Sequence, residues 1–205
     1  MQPILRIIYK IGWRQNKFNM LKPNMVASNP FQYLKQAELI HSEHAVIQAI
    51  TTIATKLNQD YVNKQPVVLS VMTGALFFTG QLLPKLLFPL VLNYVHATRY
   101  HGELSGNTIK WIIKPTAEVA NREVLILDDI LDEGITLKAI VDECYLLGAK
   151  DVKIAVLAEK MIDKSKPISA DYVELMLPNR YVFGCGMDLH NWWRNLPAIY
   201  ALQNT

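Results

Sequence analysis

Cysteine is scarce: Cys144 and Cys185 are the only two in a chain of 205 residues. Two thiols exclude a disulfide framework and a Cys-rich zinc site, and they point to a reducing, cytoplasmic setting. Long hydrophobic runs are missing as well. The longest candidate, residues 82–92, is interrupted by Pro84, Lys85 and Pro89, far short of the roughly 18 apolar residues that a spanning helix needs. No membrane partner is expected. Charge of one sign is not in large excess: 21 basic and 18 acidic residues leave +3, too little to suggest a nucleic-acid partner. Internal repeats and low-complexity stretches are absent. Acidic residues are absent from residues 1–30, which carry Arg6, Lys10, Arg14, Lys17 and Lys22, while the remainder holds 16 basic and 18 acidic residues. Residues 1–25 therefore read as a basic N-terminal extension. Such composition can mark a targeting peptide, but the stretch is poor in Ser and lacks a continuous apolar core. A plain extension, or a start at Met20 or Met25, is the favoured reading. Residues 26–205 suffice for one domain with a sizeable core.

What is present is an alternation of strand and helix signals. Val46, Ile47, Ile50, Ile53, Ala54, Leu57 and Tyr61 recur at helical spacing, which predicts a helix over residues 37–61. A strand follows at 67–72, a turn at Thr73-Gly74, and a helix over 75–87 that Pro84 must end or bend. Strands are expected at 90–97, 108–114, 124–127 and 152–158, with a loop at 100–107 and a helix over 135–147 closed by Gly148. This order implies a parallel sheet with helices on both faces. The aromatic-rich tail, from about residue 160 to 205, reads as the main part of a small C-terminal/N-terminal hood over the sheet edge.

One segment concentrates the chemistry. Val124-Leu125-Ile126-Leu127 reads as a buried strand, Asp128 and Asp129 stand at its C-terminal end, and Asp132, Gly134 and Thr136 occupy a turn that opens a helix. In open α/β sheets ligands bind beyond the carboxyl ends of the strands. A helix N-terminus there offers free N–H groups to a phosphate, whereas paired acids repel phosphate and suit hydroxyls. The segment reads as a site for a phosphorylated sugar.

Four apolar residues, two acids, two apolar residues and then Asp-x-Gly-x-Thr resemble the signature of the type I phosphoribosyltransferases, which bind 5-phosphoribosyl-1-diphosphate (PRPP). The resemblance implies that Asp128 and Asp129 hold the ribose hydroxyls. It also implies that Glu133, Gly134, Ile135 and Thr136 cradle the 5′-phosphate, largely through backbone N–H groups. Glu133 stands where the family often has Thr, and it is expected to point away from the phosphate. Val71-Met72-Thr73-Gly74 matches the family loop that meets the diphosphate, often through a non-proline cis peptide, here Met72–Thr73. Many purine enzymes of the family have Lys in place of Thr73. Arg99 and Tyr100 fall where the family's mobile lid begins, usually with Ser-Tyr.

The tail extends the resemblance. Lys160, Tyr181, Asp188 and Arg194 repeat the spacing of Lys, aromatic, Asp and Arg in hypoxanthine-guanine phosphoribosyltransferases. By that resemblance Lys160 contacts a 6-oxo group, Tyr181 stacks on the purine, Val182 reads its edge through the backbone, and Arg194 meets pyrophosphate. Asp132 becomes the general base. Asp188 falls in the same purine-binding segment. A diphosphate leaving group implies Mg²⁺, with Asp188, directly or through water, Asp128 and Asp129 as its ligands. Expected partners are PRPP and a 6-oxopurine base, with a homo-oligomer, dimer or tetramer, common in the family. Xanthine preference, and a PRPP- or nucleotide-sensing regulator on the same fold, are the alternatives.

Overall fold

A computed structural model describes residues 30–99 and 109–203. Helix α1 (Pro30–Gln36) leads into strand β1 (Glu38–His41) and the long helix α2 (Glu43–Asp60). Ser42 caps α2, its Oγ accepting from the Ala45 N–H at 3.3 Å, and Glu43 adds a favourable charge to the first turn. The helix expected over residues 37–61 is therefore corrected at its start. Glu38–His41 is extended because it pairs antiparallel with the C-terminal tail, a contact no local pattern announces, and Ser42 sets where the helix begins.

Strands β2 (Val67–Val71), β3 (Val91–Arg99), β4 (Ile109–Ile113), β5 (Glu123–Leu131), β6 (Asp151–Lys160) and β7 (Leu175–Leu177) form the main sheet in the order β4-β3-β2-β5-β6-β7. All neighbours are parallel except β3 and β4. Helix α3 (Leu76–Leu82) passes into a 3₁₀ turn, Leu83–Lys85, at Pro84, where the missing N–H prevents a further α turn. Helix α4 (Ile135–Leu146) follows β5.

Successive side chains of a strand point to opposite faces, so the sheet sorts its apolar residues into two cores. Val68, Leu125, Leu127, Ala155 and Leu157 face α2 and α3, meeting Ile50, Ile53, Leu57 and Phe78. Val67, Leu69, Ile126, Ile154 and Val156 face α4, meeting Ile140, Val141 and Cys144.

The hood is a three-stranded sheet of β1, β9 (Ile199–Ala201) and β8 (Val182–Phe183), in that order. It is thus not confined to residues 160–205: β1 supplies an outer strand, while β7, within that range, joins the main sheet. Leu34, Phe183, Leu189, Leu196 and Tyr200 form its own small core. Arg180 fastens the two ends, pairing with Glu38 at 2.6 Å and donating to the Leu202 carbonyl.

Ile53 is fully buried between α2 and the sheet. Ile53→Ala is expected to cost about 2–5 kcal/mol, read as a lower denaturant midpoint at unchanged slope.

Candidate active site

The end of β5 carries Asp128 and Asp129, 9 % and 7 % exposed. Asp128 Oδ1 accepts from the Asp129 backbone N–H at 2.9 Å. Burial holds the Asp128 carboxyl well above the usual aspartate range, and the neighbouring Asp129 charge adds to the shift, against the pull of Arg194. Burial raises Asp129 too, while the Asp128 hydrogen bond and Arg194 lower it.

Space for these acids comes from two glycines. A Cβ on Gly74, in the turn after β2, would collide with the Asp129 carboxylate. A Cβ on Gly186, whose φ is +105°, would collide with the Gly74 carbonyl. The β2 turn thus lies on the acids, and the hood loop lies on the β2 turn. The Met72–Thr73 peptide in that turn is cis, and Thr73 lines the same cleft as Asp128 and Asp129.

Beyond β5 the chain turns through Asp132, Glu133 and Gly134. Gly134, at φ +80°, is the N-cap of α4, and no side chain caps the helix. The first N–H groups, beginning at Ile135 and Thr136, have no intrahelical acceptor and are available to an anion. Gly134 and Thr136 line the cleft; Ile135 enters only as the first helical residue. Glu133 lines it too, with its carboxylate paired to Lys164 of the loop after β6. Its charge is turned to the cleft wall and neutralised there.

Lys160 ends β6 and donates to Asp132 Oδ2 at 2.8 Å, with side chains 14 % and 34 % exposed. Tyr181 and Val182 stand beside them on the cleft wall. Arg194 donates to Asp188 Oδ1 and to the Gly186 carbonyl, each at 2.6 Å. The whole cleft holds about 620 Å³.

Every sequence-predicted side chain from Asp128 to Arg194, save Ile135, thus meets in one cleft, together with Thr73 and Gly74. Arg99 is the last residue of β3; Tyr100 and the lid assigned to it lie outside the described residues. Sequence reasoning missed Lys164, Lys166 and Gly186. The two lysines carry no motif, and the contacts that carry them to the phosphate turn, Lys164 to Glu133 and Lys166 to the Leu131 carbonyl, span 31 and 35 residues. Gly186 sits between Cys185 and Met187, and its need for a positive φ shows only in the fold.

A divalent cation fits part of this site. Mg²⁺ is commonly held by one or two carboxylates together with substrate phosphates rather than by an all-protein cage. Asp128 and Asp129 supply such a pair, and among the described residues no cluster of three or more His, Cys, Asp or Glu converges as a cage. Asp188 fits less well as a direct ligand, because Oδ1 is taken by Arg194 and Oδ2 accepts from the Asn191 N–H at 2.8 Å.

The fold is that of the phosphoribosyltransferases. The family model of the phosphoribosyl transferase domain matches residues 36–190, and the chain belongs to this family. A hypoxanthine-guanine-xanthine phosphoribosyltransferase of Tritrichomonas foetus is 34 % identical over 170 residues, covering 82 % of this chain and 92 % of that one. A bifunctional TilS/HprT protein of Listeria innocua is 34 % identical over 203 residues, 98 % of this chain but 29 % of that relative's length. The crystal structure of a hypoxanthine phosphoribosyltransferase from Staphylococcus aureus superposes with a TM-score of 0.78 at 26 % identity, covering 86 % of this chain and 96 % of that one.

The acid pair predicts a pH-dependent cost. A carboxyl raised in the folded state destabilises the fold once it must ionise. The cost is absent below the unfolded value, near pH 4, and grows as pH rises toward the raised folded value. In metal-free buffer Asp128→Asn is therefore expected to raise the melting temperature at neutral pH by roughly 2–8 °C, corresponding to about 1–2 kcal/mol for a chain of this size. The gain should vanish near pH 4. Melting curves of both proteins across that range check it.

Proposed function

We propose that this chain transfers the 5-phosphoribosyl group from PRPP to N9 of a 6-oxopurine, hypoxanthine or guanine, releasing pyrophosphate for purine salvage. The observation that carries the reading is the Asp132–Lys160 pair. It sits in one cleft with the two buried acids, the uncapped N-terminus of α4 and Tyr181. Neighbouring atoms of a 6-oxopurine present an acceptor at O6 and a donor at N7–H. An ammonium beside a carboxylate matches that edge. Adenine offers an amino donor at C6, which a lysine cannot accept.

The ribose hydroxyls are donors suited to Asp128 and Asp129, and the 5′-phosphate suits the N–H groups from Glu133 to Thr136 and the Thr136 hydroxyl. Thr73 and Gly74 line the side toward the diphosphate, and Arg194 adds positive charge there. Asp128 and Asp129 would hold Mg²⁺ together with PRPP, and the ion would supply charge neutralisation to the pyrophosphate. As the bond to C1′ loosens toward an oxocarbenium-like state, N9 attacks and Asp132 takes the proton from N7. Lys160 stabilises charge developing on O6. Tyr181 stacks on the ring, and the Val182 backbone borders its edge. The resemblance to purine-salvage enzymes supports a cytoplasmic setting, and no described helix is long and apolar enough to cross a membrane. A homo-oligomer is also proposed, since Leu92 and Tyr94 leave an apolar face of β3 exposed. Xanthine is the nearer rival as substrate, because the Tritrichomonas foetus relative is named for all three bases.

The test offers hypoxanthine, guanine, xanthine and adenine separately, with PRPP and Mg²⁺, and follows monophosphate formation. Turnover of hypoxanthine or guanine with adenine inert is expected. Asp132→Asn should lower kcat by roughly 10²–10⁴-fold while PRPP still binds; a parent-like rate would remove Asp132 as the base. Lys164→Ala leaves Glu133 without that counter-charge at the phosphate turn. It should raise the KM for PRPP by about two- to tenfold, more at low salt than at high. Steady-state kinetics at two ionic strengths check this.

A further inference from the structure

Parallel strands β5 and β6 stay hydrogen-bonded up to the register pair Leu131 and Glu159. The next residues, Asp132 and Lys160, project into the cleft beyond the last rung of that ladder. Nothing in the ladder fixes the distance between them. One residue spans this gap. Lys166, on the loop that leaves β6, returns across the sheet edge and donates to the Leu131 carbonyl at 3.0 Å, the Lys160 carbonyl at 2.7 Å and Glu159 Oε1 at 2.9 Å. An ammonium has three protons, and all three are used. The Lys166 side chain is only 11 % exposed, so this is not a solvated surface lysine.

The acceptors are specific to the pair. The Leu131 carbonyl belongs to the peptide that carries the Asp132 nitrogen, and the Lys160 carbonyl belongs to Lys160 itself. Glu159 supplies the counter-charge, so the tie adds no net charge beside the site. The same loop packs over the phosphate turn, where Pro167 and Ile168 lie within contact distance of where a Gly134 side chain would begin.

We propose that Lys166 is a positioning residue that holds Asp132 and Lys160 in register by tying together the ends of the strands that carry them. The proposal rests on the reading of those two groups as the reacting pair. Small losses of register matter here, because a misplacement of about 1 Å can cost about 10²-fold in rate.

The test has two arms. In the first, the parent, Lys166→Gln and Lys166→Arg are compared by labelling with an amine-selective acylating reagent, followed residue by residue by mass spectrometry. Lys56 and Lys138, whose side chains are 51 % and 43 % exposed, serve as references. Lys160 should label roughly five times faster in Lys166→Gln, with the references unchanged and backbone-amide protection in β2 retained. Lys166→Arg keeps the charge and should lie between the two; it carries this arm alone if the Gln variant does not fold. An unchanged Lys160 rate in a folded variant overturns the proposal. So does a rise that accompanies loss of amide protection throughout β2, β5 and β6, since that marks a merely structural lysine.

The second arm is kinetic. Lys166→Gln should lower kcat roughly ten- to a hundredfold with the KM for PRPP changed by less than about twofold, and Lys166→Arg should recover part of the loss. Equal loss in kcat/KM for PRPP through KM alone overturns the positioning role. If the parent turns over none of the four purines, the functional reading fails by itself, and the labelling arm still decides whether Lys166 holds the pair.

Discussion

Two carboxylates buried side by side without a cation of their own set the terms for everything around them. Around the C-terminal edge of the sheet and the hood loop that covers it stand Asp128, Asp129, Asp132, Glu133, Glu159 and Asp188. Four of the six have a partner: Lys160, Lys164, Lys166 and Arg194 pair with Asp132, Glu133, Glu159 and Asp188. Among the described residues, Asp128 and Asp129 form no ion pair, although they are the most buried of the group. Their carboxyls are accordingly raised. Burying a charge without compensation is expensive, so the fold retains them at the expense of stability. What relieves that cost must come from outside, as hydroxyl donors or a divalent cation.

The backbone around the acids is shaped by the same constraint. Gly74 leaves room for the Asp129 carboxylate, and Gly186 leaves room for Gly74. Three segments distant in sequence, the end of β5, the turn after β2 and the hood loop, are thereby stacked without intervening side chains. The stack also brings Arg194 close enough for its charge to be felt at both acids. Arg194 itself is fixed through Asp188 and the Gly186 carbonyl, so the hood loop serves as cover and counter-charge together.

The alternation of strands and helices and the phosphate turn were legible in the sequence because their signals are local; the strand order, and the antiparallel pairing of β4, were not. Val124 to Leu127 must be a strand, and Gly134 must begin a helix turn, whatever else the chain does. The spacing from Lys160 to Arg194 carried the hood side of the cleft through resemblance. The β1 strand was not legible, since Glu-Leu-Ile-His is too short to show a period, and its conformation depends on Tyr200 and Ala201 at the far end of the chain. Lys164 and Lys166 were hidden for a related reason. A lysine in a loop is ordinarily solvated, and only the folded-back path of the loop gives these two their acceptors. The departure at Glu133 could be seen in the sequence, but its resolution by Lys164 could not.

The state of the Asp132–Lys160 pair bears on how a base is chosen. The two groups satisfy one another at 2.8 Å, with the Lys160 side chain 14 % and that of Asp132 34 % exposed. Asp132 keeps access to water, so an incoming ring edge that supplies both groups with new partners can part them at modest cost. Discrimination must then lie in what replaces the pair. A ring edge that offers an acceptor to the ammonium and a proton to the carboxylate recovers both partners in a drier setting. An edge that offers a donor to the ammonium leaves Lys160 facing a like partner, and a site built to bond one pattern rejects the other strongly. A pair opened at modest cost with a fixed separation therefore serves selectivity better than a strong one would, and the separation matters more than the pair's own strength.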